Sequence, residues 1–121
     1  MLNNQKIVID LVEDIVNTQI KEEQEVFFIF KDGFYEELKK NELEDVDTSD
    51  HHEFGESGDL LSYFVLAYIA SIAKDLSKEG IALTKVTLNE WLKKNKKKIN
   101  KKFDSDISKS ILNVLEKYLS K

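Results

Sequence analysis

The chain has 121 residues, enough for one domain with a real core, and no cysteine, which excludes disulfides, thiolate metal sites and a cysteine nucleophile. All 18 basic residues are lysine, so the side chain best suited to bidentate reading of phosphate, carboxylate or guanine is missing. The net charge of −5 is polarised: residues 1–60 hold five lysines and 17 acids, whereas residues 61–121 hold 13 lysines and six acids.

Met1 to Lys6 runs into an amphipathic pattern rather than a basic segment, an apolar run and a cleavage site, so no secretory signal is expected. Lysine-only usage with many Asn and Ile points to an AT-rich source genome. Ile7, Val8, Leu11, Val12, Ile15, Val16 and Ile20 recur at helical spacing with acids between them, which predicts an amphipathic helix from about Asn4 to Glu23.

The stretch EVFFIFKDGFYEEL, Glu25 to Leu38, supports two readings. As a hairpin, VFFIF is a strand and Asp32-Gly33 supplies the residues of a type I′ turn. As a helix, Phe27, Phe30, Phe34 and Leu38 share a face, at a cost of roughly 1 kcal/mol for Gly33 relative to alanine. The hairpin is favoured, its second strand giving way to a helical turn near Glu36–Glu42.

Glu42 to Asp59 holds eight acids and no lysine and reads as a flexible solvated loop. Within it, Asp45, Asp47, Ser49, Glu53 and Glu56 fall where an EF-hand places oxygen ligands, so the loop partly resembles that calcium-binding motif. Asp50 stands where the motif needs glycine, and His52 where an apolar residue pairs two hands. The adjacent His51 and His52 lack the i, i+4 spacing with which two imidazoles share a metal on one helix face. Gly55 to Gly58, GESG, is one residue short of a nucleophile elbow and reads as a lead-in to the next helix.

That helix runs from about Leu60 to Lys78, capped by Ser57 or Asp59 and ended by Gly80. Its apolar window, Leu60 to Ala73, is 14 residues long, whereas a membrane span needs about 20, so it is read as the core helix of a bundle. Tyr63, Phe64 and Tyr68 are expected in the core rather than around a ligand. Thr87-Leu-Asn-Glu90 fits a capping box and starts a helix whose polar face is the run WLKKNKKKINKK, Trp91 to Lys102. Asp104 or Ser105 caps a last helix striped by Ile107, Ile111, Val114, Leu115 and Tyr118.

The expected fold is a mainly α single domain over 1–121: a bundle of about four helices, with one short β-hairpin near 25–38 and the acidic loop at about 42–59. The expected function is protein–protein binding without catalysis or cofactor, as an adaptor, subunit or acidic inhibitor. Small acidic immunity and antitoxin proteins of bacteria and phage supply the analogy, and the expected place is the cytoplasm. Glu42, Glu44, Asp45, Asp47, Asp50, Glu53 and Glu56 are the candidate partner-binding residues, through electrostatic steering of a basic protein. The alternative is non-specific phosphate contact by Lys93, Lys94, Lys97 and Lys101; a weaker one is divalent-metal binding by Asp45, Asp47, Ser49, Glu53 and Glu56.

Overall fold

The computed structural model describes residues 4–39, 60–95, 99 and 103–120. Among them the structure is mainly helical and holds no strand: α1 (Asn4–Gln19), a 3₁₀ turn (Lys21–Glu23), α2 (Gln24–Lys39), α3 (Leu61–Lys78), α4 (Lys85–Asn95) and α5 (Ser105–Leu119). The helical bundle expected from the apolar periodicity is therefore present, with five α-helices among the described residues.

The predicted hairpin at 25–38 is instead the helix α2. Strand propensity mostly expresses packing on a pleated surface, and a lone hairpin in water is marginal. Helical geometry instead places Phe27 in the core formed with α1 and α3. The first helix also ends earlier than its apolar repeat suggests. Ile20 leaves helical conformation, fully buried, and the 3₁₀ turn swings the chain round so that α2 packs on α1. The Gln24 side-chain amide donates to Asn17 Oδ1 at 3.0 Å across that corner.

Two helices organise the core. Val8, Ile9, Val12, Ile15 and Val16 line the inner side of α1, which packs against α2, α3 and α5. Every residue of α3 from Ser62 to Ala70 is buried, as its nearly unbroken apolar composition requires. The aromatic residues form a connected set: Phe64 and Tyr68 each meet Phe103 at 6.1 Å between ring centroids, and Tyr68 meets Trp91 edge-on at 5.9 Å. Such edge-to-face contacts set the positive ring edge against a negative face. Tyr63, Phe64 and Tyr68 are core residues, as expected.

The helix ends show where local chemistry decides. At the end of α3, Gly80 at φ 73° takes the left-handed conformation that favours glycine, with Gly80 N–H donating to Ser77 O and Ile81 N–H to Leu76 O. At the start of α4 the predicted cap shifts by three residues. Thr84, not Thr87, is the N-cap: its hydroxyl accepts from Thr87 N–H at 3.1 Å, while Thr87 Oγ1 accepts from Thr84 N–H at 2.8 Å. The capping box is thus Thr84 with Thr87, a hydroxyl doing what Glu does in the usual version. Asp104 caps α5 as expected, accepting from Ile107 N–H at 3.0 Å.

The start of α3 has no local side-chain cap among the described residues. Its N-cap residue, Leu60, offers no side-chain hydrogen bond, and neither Ser57 nor Asp59, the predicted caps, lies within the described residues. The Glu23 carboxylate supplies the acceptors from 38 residues away, taking Leu61 N–H at 3.0 Å and Ser62 N–H at 2.8 Å.

At the other side of the bundle, Tyr118 of α5 donates to Asp14 Oδ2 of α1 at 2.5 Å, and Lys85 of α4 lies 4.6 Å from the Tyr118 ring centroid. Burial, then the hydrogen bond and charge of Asp14, raise the Tyr118 pKa above its ordinary value near 10. Burial alone raises that of Tyr68, whose hydroxyl has no hydrogen-bond partner among the described residues. The protonated phenols are thus favoured by folding, so stability is intact below about pH 10 and falls as pH rises beyond it, where unfolded tyrosines ionise. Denaturant midpoints measured from about pH 9 to 11 should show that fall. Tyr68→Phe should make it shallower without loss of stability at neutral pH, since the phenol it removes has no partner among the described residues. An unchanged alkaline slope in Tyr68→Phe would contradict the assignment.

Candidate functional site

A surface helix can bury only one face, but α2 carries five consecutive apolar residues, Val26 to Phe30. At about 100° per residue these surround the whole helix. Phe27 takes the inward position and is 1% exposed, whereas Phe28, Ile29 and Phe30 are 68%, 70% and 52% exposed. Phe28 and Ile29, which meet at one groove, form a small exposed apolar patch, with Phe30 a further 100° round the helix.

Beside the patch, α1 and α2 enclose an open groove of about 590 Å³. Phe27, Phe28 and Ile29 give its apolar lining, and Glu13, Asn17, Gln24 and Glu25 its polar edge. Lys31 crosses one side of this region: its Nζ donates to Glu13 Oε2 at 2.9 Å and sits 4.7 Å from the Phe28 ring centroid. An ammonium between a carboxylate and an aromatic face is held by both charge and quadrupole. The hydrogen bond to Glu13 raises the Lys31 pKa, slight desolvation opposes it, and the charges of Glu13, Asp32 and Asp10 add to the rise.

The exposed face of α2 has a definite composition. Counting about 100° per residue from Phe28, the residues Asp32, Glu25, Glu36, Ile29 and Gly33 fall in that order within an arc of roughly 140°. All six are exposed. Three carboxylates therefore lie between two large apolar side chains on one side of one helix. A Cβ built on Gly33 meets nothing within 4 Å, so packing inside the chain does not require a glycine there.

The residues singled out in the sequence are distributed otherwise. Glu42, Glu44, Asp45, Asp47, Ser49, Asp50, Glu53 and Glu56 lie outside the described residues, as do Lys97 and Lys101. Lys93 and Lys94 are exposed in the last turn of α4, where cations complement the helix dipole. The tryptophan of that helix packs on Tyr68, and Asn95 donates to Trp91 O at 3.0 Å, satisfying its polar group within the helix. Among the described residues no group of three or more His, Cys, Asp or Glu side chains is placed to hold a metal ion, and no helix is long and apolar enough to cross a membrane.

Sequence reasoning missed the exposed α2 face because Asp32-Gly33 favoured a hairpin in which VFFIF is a strand. The available signal was the angular count: five successive apolar residues exceed what one face of a surface helix can bury. A scan against protein-family models gave no match, and neither curated proteins nor solved structures gave a significant one.

Proposed function

We propose that this chain is a protein-binding module without a catalytic step, and that the outer face of α2 is its docking surface. The observation that carries this reading is the exposed run Phe28, Ile29 and Phe30 beside the open α1–α2 groove. Large apolar side chains left together in water are what a partner would cover. The acid-rich segment 42–59, next in sequence after α2, supplies a negative field that speeds encounter with a basic protein.

The test uses paired substitutions that leave the fold intact. Phe28→Gln with Ile29→Gln replaces two exposed residues by good helix formers, so stability should change by no more than about 0.5 kcal/mol. Captured from its native host, the tagged wild-type chain should retain a stoichiometric partner, and the double variant should bind that partner about tenfold more weakly. A partner held equally by both chains would remove α2 from the interface. The absence of any stoichiometric partner would remove the binding function.

A further inference from the structure

We infer that the α1–α2 surface takes a basic amphipathic helix of another protein, its apolar stripe on Phe28 and Ile29 and its cations on the carboxylates between them. This rests on the docking role proposed above and assigns the chemistry of the occupant. Glu25, Asp32 and Glu36 share the exposed arc with Phe28 and Ile29, so an occupant meets three carboxylates in the middle of that arc and one large apolar side chain at each edge. A helix whose docking face sets lysine or arginine between two rows of leucine-like residues matches that order.

One observation favours ammonium or guanidinium groups, and a second favours close approach of a helix. The first is Lys31, an ammonium already seated between Glu13 and the Phe28 ring, which shows that the surface holds a cation by a carboxylate and an aromatic face together. The second is Gly33, exposed on the same arc with open space around its missing Cβ, where a partner backbone can come close.

The other candidate occupants lack the complementary charge or the apolar stripe. The chain's own segment 42–59 has eight acids and no lysine, so it would meet the carboxylates of α2 with like charge. A second copy packing α2 on α2 would bring the same three acids face to face. The lysine-rich α4 of a second copy has charge of the right sign, but Leu88 and Leu92 are buried in its own core.

The experiment titrates the full chain with fluorescent helical peptides of about 18 residues, a length that presents several turns to the groove. One carries a row of lysines between leucines on one face, a second has glutamates in place of those lysines, and a third has the same lysines with the leucine stripe scrambled. The lysine–leucine peptide should bind about tenfold tighter than either control at low salt and weaken as salt rises. Phe28→Gln with Ile29→Gln should reduce its affinity about tenfold, and Gly33→Leu should do so by blocking close approach. Lys31→Gln, which frees Glu13 and the Phe28 ring, should strengthen binding about threefold.

Equal binding of the lysine and glutamate peptides would overturn the charge assignment while leaving the docking surface standing. Binding indifferent to the α2 substitutions, or to scrambling of the stripe, would reduce the effect to bulk charge attraction and overturn the inference. Sedimentation showing a dimer that the Phe28 and Ile29 substitutions dissociate would make the occupant a second copy. No binding of the lysine–leucine peptide, in a chain whose native partner still needs Phe28 and Ile29, would overturn the occupant's chemistry and keep the proposed function.

Discussion

Phe27→Ala should lower the unfolding free energy by about 3–4 kcal/mol, the usual cost of emptying a buried phenylalanine site. Phe27 is the sole buried side chain among the described side chains of α2, and it belongs to the same apolar cluster as Ile15, Ile20 and Leu66. Its neighbours along the helix, Phe28 and Ile29, are exposed and cannot substitute for it. The remaining ties between α1 and α2 include the Lys31–Glu13 pair and the Gln24–Asn17 hydrogen bond, both polar and both near solvent. Such contacts orient a helix that burial has already attached, but they add little against the loss of a ring. Chemical denaturation reads the total cost, and amide exchange reads where it falls. Protection should drop first in α2, with α3 and α5 retaining theirs until global unfolding. A loss below about 1 kcal/mol would mean that Phe27 does not anchor the helix.

That anchoring also explains what was legible in the sequence. The repeat of Ile and Val through α1, the nearly all-apolar α3 and the clean stripe of α5 each specify a helix because period and burial agree. In α2 they conflict. VFFIF followed by Asp-Gly has the local chemistry of a hairpin, and only the presence of a core able to accept Phe27 from a helix decides otherwise. The same conflict hid the candidate surface, since a helix turns Phe28 and Ile29 away from the side that buries Phe27. The start of α4 was displaced for a smaller reason: Thr84 and Thr87 are both competent caps, and Glu90 made the later one look like a capping box.

The cap of α3 was beyond local reading altogether, and it gives the second large effect. Glu23→Ala should cost about 2 kcal/mol, equivalent to a fall of about 6–10 °C in Tm for a chain of this size. The carboxylate accepts two N–H groups of the first turn, one on each oxygen, and Ser62 is fully buried, so water is poorly placed to replace the lost acceptor there. A negative group at a helix N-terminus is also favoured by the helix dipole. Glu23→Gln keeps one carbonyl oxygen but turns an N–H donor toward the second amide, so about half the effect should remain. Wild-type stability in Glu23→Ala would mean that Ser57 or Asp59 caps α3 from its own flank. Because Glu23 ends the 3₁₀ turn that leads into α2, the bond also sets where α2 begins relative to α3. Losing it should therefore weaken docking on α2 even at temperatures where the variant is fully folded, a coupling that peptide affinity measured beside Tm would separate from simple instability.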